Sequence, residues 1–198
     1  MKLFTPTLLL ALSALGVDAV GVNDSPYKTA RLVVSTIQSA VQTAEDMDTG
    51  NYKDLAKIKD QLRTQFQGSM DGLRDWAYLV DNGYGYYGGD QQGQQECDHE
   101  TKLYDQISQS IIGITPTFKN ILNSKFKNEY AHIGLTEHRL QVTWGRNQKE
   151  AKLARLLGDK CPDNKDKLLK VQERGANSLK EMYDEVSRIA NEDDGDDE

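Results

Sequence analysis

Residues 52–80 decide the fold, and they read YKDLAKIKDQLRTQFQGSMDGLRDWAYLV. Apolar side chains recur in this stretch at steps of three or four residues: Tyr52, Leu55, Ile58, Leu62, Phe66, Met70, Leu73, Trp76 and Val80. That spacing places them on one face of an α-helix and leaves the charged residues on the other face. The stretch therefore predicts a long amphipathic helix, in which Gly68 and Gly72 can introduce a bend.

The same helical spacing continues on both sides of this stretch. Before it, Ser25 and Pro26 form an N-cap followed by a first-turn proline, and Gly50 is a stop signal. After it, apolar stripes of helical period run over residues 103–114, 118–133, 140–157 and 168–189. The pair Thr115-Pro116 repeats the cap-plus-proline pattern and predicts that a new helix begins there.

These stripes define the fold class. No segment shows the alternating pattern that is typical of a β-strand. A chain of 198 residues, of which 37% are hydrophobic, is long enough to bury one core without metals or many disulfides. We therefore predict an all-α fold, a bundle of five or six amphipathic helices in one domain over residues 20–191.

Residues 81–98 interrupt the helical pattern. They contain NGYGYYGG at 82–89, followed by a glutamine-rich stretch. Such low complexity predicts a long flexible loop within the domain. Tyr84, Tyr86 and Tyr87 make it a candidate recognition loop, because tyrosine offers a large contact area at low entropic cost. The alternative is a spacer whose tyrosines fold back onto the bundle.

The first nineteen residues have the features of a secretory signal peptide. Lys2 supplies a positive charge, an apolar run covers residues 8–15, and the cleavage pattern predicts a cut after Ala19. No later segment has the ~20 apolar residues that a membrane span needs. We therefore expect a secreted, extracellular protein without a transmembrane segment. Asn23 lies in an N-glycosylation sequon, which Pro26 is expected to weaken.

Two cysteines, Cys97 and Cys161, are the only ones in the chain. An oxidising compartment favours a disulfide between them, which would close a long loop and contribute about 4 kcal/mol in the chain-entropy model. The alternatives are free thiols or a disulfide between two chains. A metal site is not predicted, because the adjacent Asp98, His99 and Glu100 lack the spacing of tetrahedral ligands.

Charge is unevenly distributed along the chain. The net charge is -7, and residues 192–198, predicted to be a disordered acidic tail, contain six acids. Residues 119–174 contain 13 basic and 7 acidic side chains, so this region is cationic. It can pack against acidic helices or the tail, form solvated helix faces, or attract a protein or polyanion. A nucleic-acid partner is disfavoured, because the total charge is negative and no nucleic-acid-binding motif is present.

Catalytic motifs are missing from the sequence. It contains no HExxH, no nucleophile elbow, no P-loop and no dinucleotide-binding glycines. We therefore expect no enzymatic activity, no cofactor and no metal. The first functional hypothesis is a secreted interaction protein that binds an extracellular macromolecule of a host or of the matrix. The second is an extracellular carrier of a small apolar ligand, a fatty acid or sterol, in a cavity shaped by Gly68, Gly72 and Gly113.

Overall fold

The computed structural model describes residues 25–122 and 137–193. Within these two ranges it contains five α-helices and no strand, which confirms the predicted all-α bundle. The helices are α1 (Pro26–Asp48), α2 (Leu55–Asp81), α3 (Gln91–Leu122), α4 (Glu137–Lys160) and α5 (Lys165–Asp193). A short 3-10 turn, Pro162–Asn164, connects α4 to α5. No helix in the described ranges combines the length and the apolar character that crossing a bilayer requires.

Several predictions fall partly or wholly outside these ranges. The predicted signal peptide (1–19) and the sequon residue Asn23 lie outside the described residues. Of the predicted acidic tail (192–198), Glu192 and Asp193 are the last residues of α5, and the others lie outside the described part. Residues 123–136 of the cationic region are also outside it.

The five helices form a closed ring in the order α1, α2, α4, α5 and α3. Antiparallel packing of α1 and α2 brings Val33 against Gly72 and Thr36 against Gly68. The ring encloses two apolar clusters, one at each end of the bundle. The first cluster includes Trp76, Tyr104, Ile107, Leu153 and Leu168, and the second includes Met47, Leu62, Ile114 and Ile121.

The start of α1 follows the sequence pattern closely. The Ser25 side chain accepts a hydrogen bond from the Lys28 backbone N–H at 3.2 Å, and Pro26 occupies the first helical position. The helix ends at the predicted glycine, since Gly50 has a φ of +75°, a conformation that glycine adopts without strain. The predicted caps of α1 are therefore confirmed.

The helix start predicted at Thr115-Pro116 is wrong, because α3 continues through Pro116. A proline inside a helix removes one backbone hydrogen bond, so packing must hold the two halves together. Ile114 and Ile121 are fully or almost fully buried in the second cluster on either side of the proline. Thr115 Oγ1 also lies 2.6 Å from Ser178 Oγ on α5.

The irregular segment between α2 and α3 is shorter than the predicted loop of 81–98. It covers residues 82–90, here called the tyrosine loop, because α3 begins at Gln91. The glutamine-rich stretch is helical for two reasons. Glutamine is a good helix former, and the Asp90 carboxylate caps the helix by accepting a hydrogen bond from the Gly93 N–H at 2.9 Å.

Candidate functional site

The tyrosine loop begins in a defined turn at the end of α2. Gly83 has a φ of +73°. Its N–H donates to the Val80 carbonyl at 3.2 Å, and the Tyr84 N–H donates to the Leu79 carbonyl at 3.0 Å. This pair of bonds is the Schellman motif, which satisfies the last carbonyls of a helix and fixes the direction of the chain that leaves it.

The loop ends in an equally defined arrangement around Asp90. One carboxylate oxygen caps α3, and the other accepts a hydrogen bond from the Tyr86 hydroxyl at 2.7 Å. These bonds, the one from the Gly93 N–H first, lower the pKa of Asp90. The backbone of Gly88 lies so close to Gly93 that an added Cβ would be 1.8 Å from the Gly88 oxygen.

Tyr87 attaches the middle of the loop to the bundle. Its ring covers Gly85, where an added Cβ would lie 2.4 Å from the ring. Its hydroxyl is 2.9 Å from Glu100 Oε1, and the Trp76 indole N–H donates to Glu100 Oε2 at 2.8 Å. Glu100 is 0% exposed, so a carboxyl group inside the bundle connects the loop to a core tryptophan.

Burial is the largest cause of the shift in the pKa of Glu100. It raises the pKa of Glu100 from 4.5 to about 7, although the hydrogen bonds from Trp76 and Tyr87 act in the opposite direction. The negative charge of Glu96 raises it further. Burial also raises the pKa of the Tyr87 phenol far above its usual value, so this hydroxyl keeps its proton at every physiological pH.

Two of the three predicted recognition residues point towards solvent. Tyr84 is 44% exposed and Tyr86 is 49% exposed, whereas Tyr87 is half-buried against the bundle. A third exposed ring, Tyr78 at the end of α2, is 54% exposed and stacks on Tyr84 with 6.5 Å between ring centroids. The loop thus presents a cluster of exposed tyrosines, and one tyrosine folds back as its anchor.

Glu100 is a residue of this site that was not predicted from the sequence. One signal was available: Cys97, Glu100 and Tyr104 are spaced like the apolar residues that follow them in α3, so Glu100 occupies a position on the buried stripe. A carboxylate at such a position needs polar partners inside the core. Those partners, Trp76 and Tyr87, come from other elements, which no local pattern identifies.

The two cysteines lie beside the same end of the bundle. Cys97 Sγ and Cys161 Sγ are 2.06 Å apart, so a disulfide within one chain connects α3 to the turn after α4. Both residues are buried. The next turn of α3 is attached as well, since the Asn164 amide donates to Asp98 at 2.9 Å and to Thr101 at 3.2 Å. The structure thus has the predicted disulfide within one chain, and not free thiols or a bond between two chains.

The described part of the cationic region forms ion pairs with acidic residues of neighbouring helices. Arg174 lies 2.9 Å from Asp105 of α3, and Lys119 lies 2.9 Å from Glu181 of α5. Such pairs are partly exposed and contribute little to stability, but they neutralise part of the positive charge. They match the interpretation that the cationic region packs against acids, while Lys170 remains exposed.

Two grooves in the described residues are open to solvent. One of about 590 Å³ lies beside Lys167 and Arg174, and another of about 400 Å³ lies between Arg174 and Pro116. The space beside Gly72, expected to shape a ligand cavity, is occupied by Val33. No cluster of three or more metal-ligating side chains is present in the part of the chain that the structure describes.

Similarity to other proteins adds nothing to these observations. No family model, no curated protein and no solved structure matches the chain. The geometry of its own residues, and that of the tyrosine loop above all, is therefore the basis for assigning a function.

Proposed function

We propose that this chain is a secreted, non-enzymatic interaction protein that binds an extracellular macromolecule through the tyrosine loop. The observation behind the proposal is the cluster of exposed rings formed by Tyr78, Tyr84 and Tyr86 on a loop with fixed ends. Exposed tyrosines are typical of protein recognition surfaces, because each ring contributes contact area while only two side-chain torsions must be immobilised.

The fixed backbone of the loop supports a binding role. Binding through a mobile loop loses free energy because the loop must become ordered, and a loop that is already ordered avoids that loss. Here the entry turn, the Asp90 cap and the Tyr87 anchor hold the backbone before any partner arrives. A spacer would need none of these three contacts.

The charge around the loop indicates the kind of partner that fits it. Between Arg74 and Lys102 the chain has no lysine or arginine, but besides the buried Glu100 it has five acids: Asp75, Asp81, Asp90, Glu96 and Asp98. Like charges repel, so a polyanion is disfavoured at this surface, and a polyanionic partner would fit the cationic region instead. The tyrosine loop therefore suits a neutral or basic partner.

An apolar carrier function has less support. A carrier needs an unfilled apolar interior, whereas the ring of helices is occupied by large side chains such as Trp76, Tyr104 and Leu73. Val33 fills the space that Gly72 leaves between α1 and α2. The two grooves are open to solvent, whereas a carrier of a fatty acid or a sterol needs an enclosed apolar cavity.

The proposal is tested by comparing binding before and after removal of the exposed rings. The wild-type chain and a Tyr84→Ala/Tyr86→Ala variant are immobilised and exposed to the extracellular medium of the source, and retained material is quantified by mass spectrometry. We expect the double variant to lose at least tenfold of the specific binding. These substitutions retain Asp90, whose carboxylate caps α3, whereas deletion of residues 82–96 would remove this cap and the first turns of the helix.

Tyr183 supplies the matched control. It is a tyrosine that is 36% exposed on α5, near the Lys119–Glu181 pair and thus at the other end of the bundle. Tyr183→Ala should bind like the wild type. If the loop variant retains its partner, or if both variants lose it equally, the tyrosine loop is not the binding surface and the proposal is wrong.

A further inference from the structure

We propose that Glu100, Tyr87 and Trp76 form a pH-dependent latch that holds the tyrosine loop on the bundle at acidic pH and releases it as the pH rises. The latch regulates the surface described under the proposed function, and only its biological use rests on that function. The latch itself is a property of the isolated chain, and it is tested without a partner.

The geometry identifies which contact of the latch can open. Glu100 and Trp76 are both 0% exposed and lie on helices that contribute to the first apolar cluster. Tyr87 is half-buried and belongs to a segment without helical hydrogen bonds. Separation of Trp76 from Glu100 would require α2 and α3 to move apart, whereas separation of Tyr87 requires only the loop to move. The phenol–carboxyl contact is therefore the one that opens.

Both protonation states of Glu100 can make the same two contacts, but the direction of the hydrogen bond with Tyr87 differs between them. The Trp76 indole N–H can only donate, so Oε2 accepts in both states. The Tyr87 hydroxyl can donate to an ionised Oε1 or accept from a protonated one, and the distance of 2.9 Å suits both. The closed latch is thus compatible with either state, and the free energy of a buried negative charge decides between them.

That charge is poorly compensated. Glu96, one turn earlier in α3, is the one ionised group in the described residues whose charge shifts the pKa of Glu100, and it raises the pKa. Tyr87 and Trp76 face the carboxyl from the loop and from α2 with neutral donors. No described group on α1, α4 or α5 contributes to the shift. Water, admitted when the loop moves, is the solvation that an ionised Glu100 lacks.

The linkage between proton binding and opening has a definite sign. In the closed latch the pKa of Glu100 is about 7, and in an open, hydrated latch it returns towards 4.5. The closed form therefore binds the proton more tightly, and deprotonation favours the open form. Between pH 6 and pH 8 the ratio of open to closed latch should rise about tenfold.

Exchange of the Trp76 indole N–H with solvent measures this ratio, because the indole is bonded to the Glu100 carboxyl, which water reaches only when Tyr87 and the loop have moved away. NMR of the full chain labelled with ¹⁵N-tryptophan follows it at pH 6 and pH 8, and division by the exchange rate of a free indole gives the opening ratio. We expect a rise of about tenfold in the wild type. Glu100→Gln, which keeps the shape and cannot ionise, should show no rise.

Two further variants keep the test decisive. Glu96→Gln removes the neighbouring charge but retains the titrating group, so it should keep the rise and shift its midpoint to lower pH. Tyr87→Phe keeps the ring but lacks the hydroxyl, so it should open more at both pH values. If Glu100→Gln does not fold, the midpoint shift in Glu96→Gln still identifies Glu100 as the titrating group.

Three results would overturn the latch. The first is an opening ratio in the wild type that is equal at pH 6 and pH 8. The second is an equal rise in Glu100→Gln, which would mean that another group titrates. The third is an equal rise for the slowest backbone amides of α2, which would mean that the whole bundle unfolds. Loss of the proposed binding function would leave all three measurements unchanged, so the two proposals fail separately.

Discussion

Alanine at Gly72 should be clearly less stabilising than alanine at Gly68, although both positions lie on α2 one helical turn apart. A Cβ at Gly72 would lie 2.6 Å from Val33 Cγ2, whereas a Cβ at Gly68 would meet Thr36 Cγ2 at 3.8 Å. The second distance is an ordinary carbon–carbon contact, and the first is about 1 Å too short. Val33 is β-branched and 1% exposed, so its methyl group cannot rotate away.

The magnitude follows from two opposing terms. Alanine stabilises a helix by about 1 kcal/mol relative to glycine, and this gain applies at both positions. Overpacking at a helix contact costs about 1–3 kcal/mol, and this cost applies at Gly72 alone. We therefore expect Gly68→Ala to be more stable than the wild type by up to about 1 kcal/mol. Gly72→Ala should be less stable than Gly68→Ala by about 1–3 kcal/mol.

Urea denaturation followed by circular dichroism measures both variants under identical conditions, and equal slopes in denaturant would show that only stability has changed. A Val33→Ala background supplies the internal check, because truncation of Val33 makes room for the new methyl group. In that background Gly72→Ala should become stabilising. If Gly72→Ala is as stable as Gly68→Ala in the wild-type background, then α1 and α2 are not in close contact at this point and the reasoning is refuted.

Three further predictions concern the end of the bundle that bears the loop. Replacing Cys97 and Cys161 by serine should lower the free energy of unfolding by about 4 kcal/mol, as measured by urea denaturation, because the disulfide joins residues 64 apart. Because the folded pKa of Glu100 is raised from 4.5 to about 7, the folded chain binds a proton more tightly than the unfolded chain. Stability should therefore fall by about 3 kcal/mol as the pH rises through that window, and Glu100→Gln should lack this fall in the same titration. Gly93→Ala should displace the loop, because the new Cβ would lie 1.8 Å from the Gly88 oxygen. NMR measures this displacement as changes in the chemical shifts of the loop amides. Unchanged shifts at loop residues other than the neighbours of the substitution would contradict the prediction.

The helical fold was predictable because it depends on local patterns. The stripes of α1 and α2 and the cap at Ser25 arise from residues at most four positions apart, so the sequence shows them directly. The behaviour of Pro116 was not predictable in this way. Whether a proline starts a helix or lies within one depends on packing against α5, and that packing comes from residues more than sixty positions away.

The candidate site was also predictable only where it depends on neighbouring residues, and not where it depends on contacts between distant ones. The tyrosines and glycines of residues 82–89 predict a loop at this position. Their low complexity predicts a flexible loop, whereas the structure shows a loop with defined hydrogen bonds. Which tyrosine anchors the loop depends on Glu100, thirteen residues beyond Tyr87, and on Trp76 of the preceding helix. Only the folded arrangement brings these three side chains together.

A single turn of α3 connects the disulfide to the loop. Cys97 is bonded to Cys161, and Glu100, three residues later on the same helix, receives the loop through Tyr87. Because a helical turn is stiff, a displacement at Cys97 must also displace the carboxyl that holds the loop. The cysteine-to-serine variant should therefore show a higher opening ratio at the Trp76 indole at pH 6 than the wild type. An unchanged ratio would mean that helix packing alone positions Glu100 and that the disulfide acts only on the unfolded chain.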